Sequence, residues 1–185
     1  VRETVEPRFR ALVKQVRADK ALEPRVVYGW WPCYSDRNAL VVLDPKDRAT
    51  ELTRFEFPRQ PGGRRLCLTD FFRKKDSGQL GLSVEGAGAL AEYGHRRMRQ
   101  QIGIAADDAP DIEDLFKQKY QGSRYSFGYP ACPNIEDQAQ LLPLLEASRI
   151  GVALSEEFQL APEQSASAII CHHPAAKYFN VSVTT

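Results

Sequence analysis

Arg124 opens the run Arg-Tyr-Ser-Phe-Gly-Tyr-Pro-Ala-Cys-Pro, which ends at Pro133. A guanidinium fork pairs with a carboxylate or phosphate, and a ring face accepts a base or a cation. The same run makes a poor helix. Pro130 and Pro133 have no amide donor and push Tyr129 and Cys132 toward extended geometry. Gly128 permits backbone angles, or a close approach, that a Cβ would block. The expectation is a stiff, kinked loop that holds one arginine and its rings in fixed positions. Two readings fit these residues: a ligand-binding loop, or a proline-rich surface loop with partly buried rings. Cys132 is a candidate nucleophile by type. No base lies at a recognisable spacing from it, and its proline neighbours favour a buried structural thiol.

The elements that must position this loop follow from periodicity. Glu3 to Ala21 is predicted helical, with Val5, Phe9, Leu12, Val13 and Val16 in one stripe, as a docking or core helix. Arg25 to Trp31 reads as a strand, followed by a turn at Ser35-Asp36-Arg37-Asn38 and a second strand over Ala39 to Leu43. Thr50 to Phe57 is a candidate third strand. Leu66 to Phe72 should send its aromatics to the core, while Arg73-Lys74-Lys75 stays wet. Ser77 to Gly88 is glycine-rich, has little to bury and is assigned no element. A helix is predicted from Ala87 onward, with Leu90, Tyr93 and Met98 on one side. His95 and Arg99 fall elsewhere on it, His95 as an exposed or satisfied helix residue. A short helix is expected over Asp111 to Tyr120. After the loop, Asn134 can cap a helix that Pro143 should kink or split. Ser167 to His172 and Lys177 to Val181 read as the closing strands. Strands cluster at both ends and helices fill the middle, which favours α+β with an antiparallel sheet.

The totals exclude several classes. The chain has 185 residues, with 25 basic and 24 acidic side chains and a formal net charge of +1. That balance argues against a nucleic-acid or membrane-surface protein. No apolar run approaches the roughly 18 residues that a membrane span needs. Cys33, Cys67, Cys132 and Cys171 are widely spaced, so a zinc knuckle is not expected, and a reduced, cytoplasmic setting is the simplest fit. No metal ligands and no catalytic triad or carboxylate dyad are visible.

Several short motifs occur in one order. They are Tyr28-Gly29-Trp30-Trp31-Pro32, Phe57-Pro58-Arg59-Gln60, Leu68-Thr69-Asp70-Phe71-Phe72 and Ala91-Glu92-Tyr93-x-His95, then Arg124-x-x-x-Gly128-Tyr129-Pro130-Ala131-Cys132-Pro133. Gly151-Val152-x-Leu154-Ser155-Glu156, Pro162-x-x-Ser165, His173-Pro174 and Lys177-Tyr178-Phe179 follow. Together they resemble the C-terminal, S-adenosylmethionine-binding activation domain of cobalamin-dependent methionine synthase, over nearly the whole chain.

The resemblance implies a C-shaped single α+β domain over residues 1–185, with a twisted antiparallel sheet flanked by helices. It also implies a role, which is to present S-adenosylmethionine for the reductive methylation of cob(II)alamin. Cobalamin would be held mainly by another domain of the same enzyme, and a flavodoxin or flavoprotein reductase would supply the electron. Cobalt is the nucleophile and the sulfonium already a good leaving group, so the domain supplies position rather than a proton. The implied S-adenosylmethionine-binding residues are Arg124, Gly128, Tyr129, Pro130, Ala131, Tyr178 and Phe179. Arg124 would meet the methionine carboxylate, Tyr129 would lie near the sulfonium, and the backbone of Tyr178 and Phe179 would read adenine. No catalytic residue is implied. The family also has an N-terminal portion with a ligand-binding Asp, an acidic residue where this chain has Gly88, and a segment near Gln79-Leu80. The first two are expected to be absent here, and the third is either lost from the protein or left out of this sequence. These departures motivate an alternative, a docking module for a cobalamin domain or flavoprotein that no longer binds the ligand.

Overall fold

The computed structural model describes residues 2–19, 24–88, 91–110, 114 and 117–181. The amino-terminal stripe forms helix α1, Arg2–Ala18. It is not a core helix: Phe9 and Leu12 are 62% and 57% exposed. The periodicity that makes the helix does not by itself supply a surface to bury it against.

Strand β1 runs over Val26–Asp36, β2 over Ala39–Leu43 and β3 over Glu51–Glu56. The β1–β2 connection is the two-residue turn Arg37-Asn38, with Asp36 opposite Ala39. Pro32 cannot donate to a ladder. It sits where β1 changes neighbours, since β2 pairing begins at Cys33 and the other edge faces the next strand. Gly29 is required by packing. A Cβ there would lie 2.1 Å from the Trp31 indole, which folds back over it.

The glycine-rich stretch is the largest departure from expectation. Gly81–Gly88 is strand β4, paired along its length with β1 and along half of it with β8, Ala166–Cys171. Strand β5, Ser123–Ser126, completes the main sheet in the order β3-β2-β1-β4-β8-β5, antiparallel throughout. Gly81, Gly86 and Gly88 leave the strand few side chains to carry an alternation, so hydrophobic patterning did not reveal it. The short strands β6, Ala153–Leu154, and β7, Leu160–Ala161, form a separate ribbon.

The sheet is covered on both faces. On one, Trp31, Cys33, Phe55, Tyr125, Phe127 and Ile169 meet Leu141, Leu142 and Leu145 of helix α3, Gln138–Leu145. Each such buried side chain contributes about 2 kcal/mol of apolar burial. On the other face, Met98 of helix α2, Ala91–Gln101, packs on Ile170, Tyr28 and Trp30. The expected α2 face is corrected here: Tyr93 is 65% exposed, whereas His95 and Arg99 are fully buried. Helix α3 starts later than Asn134, with Asp137 at its N-cap, and continues through Pro143 to end two residues on. Pro143 therefore does not split the helix, which closes two residues after it.

Lys177 to Val181 is not a strand. Side chains pin it instead: Tyr125 Oη donates to Lys177 O, Lys177 Nζ donates to Gln118 O and Tyr120 O, and Gln60 Nε2 donates to Asn180 O. Arg59 and Asp70, from two of the short motifs, form a bidentate pair at 2.8 Å, and Asp70 also accepts from the Cys67 amide. The helix expected at Asp111 to Tyr120 does not reach Tyr120, since Lys117 to Tyr120 is turn and bend with Gln118 at φ +56°; residues 111–113 and 115–116, like Leu90, lie outside the described residues.

Candidate ligand-binding site

The loop begins at the sheet edge. Gly122 precedes β5 at φ +94°, and a Cβ there would lie 2.5 Å from Cys171 O, so only glycine admits this approach to β8. Arg124 pairs with Ile170 across the ladder and thus stands on the sheet face that α2 covers. The Phe127 amide donates to Ser167 O, the last tie to β8. Gly128 then turns the chain at φ +85°. The Cys132 amide donates to Tyr129 O at 2.8 Å and the Gly128 amide to Cys132 O at 2.9 Å. These bonds close a tight turn with Pro130 and Ala131 at its tip, where proline presets the backbone. The predicted stiff loop is therefore present, built as a β-turn on the end of an edge strand.

A cavity of about 850 Å³ opens beside it. Arg124, Ser126, Gly128 and Tyr129 line one side, and Gln138, Glu163, Ser165 and Ser167 line the other. Its size suits a ligand of nucleoside dimensions, since such pockets span roughly 300–1,000 Å³. Arg124 is half-buried, and its Nη1 is buried with no hydrogen-bond partner among the described residues. Buried guanidinium nitrogens are normally paired, so this donor is unspent. Tyr129 is 59% exposed, its ring free to cover a ligand. Gln138 is held rigidly, donating to Phe158 O and accepting from Ser167 Oγ.

The other expected residues divide. Ala131 is buried in the turn and Pro130 half-buried beside it. Tyr178 stacks on Tyr125, centroids 6.5 Å apart, and stands beside the loop. Its phenol pKa is raised, first by burial and then by neighbouring Tyr129, while the Ala131 backbone acts in the opposite direction. Phe179 is buried against Phe71 and Tyr125. Tyr178 and Phe179 are thus tied to the loop through Tyr125 rather than lining the cavity. Burial pushes the Cys132 thiol pKa well up, the opposite of what an activated nucleophile needs.

Behind Arg124 lies a buried polar cluster that periodicity did not reveal. Arg99 forms an ion pair with Asp108 at 2.8 Å and lies 4.0 Å from the Tyr120 ring centroid. His95 meets Tyr120 edge-on at 5.1 Å and His172 at 5.7 Å, and His172 stacks on Trp30 at 5.7 Å. Neither imidazole has a hydrogen-bond partner among the described residues. Burial, then the charges of Arg99, His172 and Arg124, lower the His95 pKa to about 2. Burial and Arg99 lower that of His172 to about 4. The available signal was Gly94. A Cβ there would make only an ordinary 3.4 Å contact with Val26, so the signal is a weak one.

An edge-strand arginine, a glycine-proline turn and a nucleoside-sized cavity on an antiparallel α+β sheet fit a small-molecule-binding domain, with no catalytic dyad or triad among these residues. The family described as vitamin B12 dependent methionine synthase, activation domain, matches residues 81–185, from β4 through every expected site residue. The chain belongs to that family. Methionine synthase of Mycobacterium tuberculosis is 40% identical over 221 residues, covering 95% of this chain and 18% of the relative. That of Mycobacterium leprae is 41% identical over 201 residues, covering 84% and 17%. The chain thus spans about a fifth of the length of these relatives. A crystal structure of the MetH reactivation domain bound to AdoHcy shares the fold, with a TM-score of 0.80 at 24% identity, covering 94% of this chain and 66% of that one.

Proposed function

We propose that this chain is a reactivation module that binds S-adenosylmethionine at the Arg124–Cys132 loop and presents its methyl group to a cobalamin held by another domain of a methionine synthase. The observation that carries the reading is Arg124 lining a nucleoside-sized cavity beside the Gly128–Tyr129 turn. Arg124 takes the ligand carboxylate through charge-assisted bonds. The turn backbone lies against the ligand where Gly128 has no Cβ, and the Tyr129 ring faces the sulfonium. Tyr178 and Phe179 lie outside the cavity lining, beside the loop, and meet the adenine end only where the ligand extends past Tyr129. The cobalamin supplies the methyl-accepting cobalt. This chain contributes position, since displacement at a sulfonium needs no proton from the protein. The structural neighbour is bound to AdoHcy, the thioether that such a transfer leaves behind.

The partners follow from the chemistry: a cobalamin domain of the same enzyme, and a flavodoxin or flavoprotein as one-electron donor. A cytoplasmic setting suits four free cysteines. Among the described residues no helix is long and apolar enough to cross a membrane. The Mycobacterium tuberculosis match extends over 221 residues against the 185 here, so that relative carries residues within the span that this chain lacks. We place them at the exposed turn Gly78–Leu80, where added residues break no ladder bond.

The test supplies a cobalamin-loaded domain, a flavoprotein reductant and methyl-labelled S-adenosylmethionine, with and without this chain. Label should enter the cobalamin fraction only when the chain is present. Equal transfer without it would refute the proposal.

A further inference from the structure

Among the described residues, seven buried side-chain nitrogen or oxygen atoms have no hydrogen-bond partner, and six of them belong to four residues in one place. They are both ring nitrogens of His95 and of His172, with Nη1 of Arg99 and Nη1 of Arg124. The seventh, Ser123 Oγ, precedes Arg124 in β5 and so alternates to the other face with Tyr125. The four residues share the face that α2 covers. Arg99 follows His95 by one helical turn. Arg124 stands opposite Ile170, and His172 lies two residues past Ile170, stacked on Trp30. The His95 and His172 centroids are 5.7 Å apart at 44°, and no hydrogen bond joins the rings. His95 and Arg99 have no exposed surface.

Buried polar groups are satisfied as a rule, and internal water does this where protein groups do not meet. The chemistry of the six atoms selects the guest. Both imidazoles are held neutral by burial and by guanidinium charge. Each therefore offers one donor and one acceptor, whereas the guanidinium nitrogens only donate. A guest must accept from arginine and donate to imidazole, and water does both. A halide or carboxylate would leave the imidazole acceptors unmet. A metal cation would face the charges of Arg99 and Arg124, of which Asp108 offsets that of Arg99. We propose that the space between α2, β5 and β8 is a sealed water site, in which ordered water bridges His95, His172 and the Nη1 atoms of Arg99 and Arg124 and so positions Arg124. The site stands on these contacts, and its effect on binding rests on the reading that Arg124 takes the carboxylate of S-adenosylmethionine. His95 is then a positioning residue. With Nη1 tied from behind, Arg124 is ordered in the cavity wall before the ligand arrives, which lowers the cost of binding.

Water–proton cross-relaxation NMR on the full chain at neutral pH reads the site directly. Long-lived water should give cross-peaks to the ring protons of His95 and of His172. Their absence at both rings would overturn the proposal, and so would ring shifts that titrate with added bromide, which would make the guest an anion. The positioning role is read by calorimetric titration of wild type, His95→Leu and His95→Gln. The ligands are S-adenosylmethionine and 5′-methylthioadenosine, which has no carboxylate. His95→Leu removes both ring nitrogens and should weaken S-adenosylmethionine roughly fivefold while leaving 5′-methylthioadenosine unchanged. His95→Gln keeps a donor and an acceptor and should recover most of the loss. Equal losses for the two ligands, or unchanged affinity for S-adenosylmethionine in His95→Leu, would overturn the positioning role. Should His95→Leu fail to fold, His172→Leu takes its place with the same expected split. Failure of the wild type to bind S-adenosylmethionine would overturn the ligand reading, while the cross-peaks would still decide the water site.

Discussion

Single residues here serve either the cavity or the interior behind it, and Arg124 belongs to both. It lines the ligand space, while its Nη1 is buried and its charge reaches His95. The His95 and His172 imidazoles stay neutral because burial and nearby guanidinium charge oppose a further cation. The consequence is a pH dependence of known sign. An unfolded histidine takes up its proton near pH 6.5, whereas folded His95 and His172 resist until about pH 2 and about pH 4. Stability is therefore full above pH 6.5 and falls as the pH drops, by about 2 kcal/mol per histidine between pH 6.5 and 5. Asp137, its pKa raised to about 6 by burial, acts the other way and offsets part of this loss. Denaturant unfolding at pH 7 and pH 5 should show a net loss, and His95→Phe should remove about half of the histidine contribution. An equal pH slope in wild type and variant would contradict the neutral, buried state of His95. The sequence made the Arg124 loop legible because its prolines and glycine dictate local geometry. It concealed His95 and Arg99 because a polar face that turns inward looks, by periodicity, like a solvent face.

Elements set the precision of the site through close backbone approaches. Strand β5 reaches its register against β8 only because Gly122 occupies a left-handed conformation beside Cys171 O. Gly122→Ala places a Cβ 2.5 Å from a backbone oxygen that no side-chain motion can relieve. It should cost more than about 2 kcal/mol in thermal or denaturant unfolding, and a loss under about 0.5 kcal/mol would show that the β5–β8 approach is wrong. Strand β4 went unread for a related reason. Its place between two ladders is fixed by backbone hydrogen bonds to β1 and β8, which hydrophobic patterning does not record. Strands β1 to β3 were legible because their apolar and turn residues carry the pattern in side chains. The carboxy-terminal segment shows the converse. Tyr178 and Phe179 sit in a strand-like composition, yet Tyr125, Lys177 and Gln60 hold the segment by side chains. Neither β-propensity nor alternation distinguishes these two means of attachment.

At the scale of the whole molecule, a six-stranded antiparallel sheet holds a ligand cavity at the β5 edge, between a rigid turn and the run into β8. Helix α1 presents exposed Phe9 and Leu12. The chain spans about a fifth of the length of its curated relatives. The proposed property that can be measured on the chain itself is ligand binding. The most direct measurement is calorimetric titration of this chain with S-adenosylmethionine, beside Arg124→Ala. Saturable binding in the wild type, weakened by about 1.5–3 kcal/mol in the variant through loss of a charge-assisted bond, is the predicted result. Equal affinities in the two proteins, or no binding by the wild type, would contradict the site.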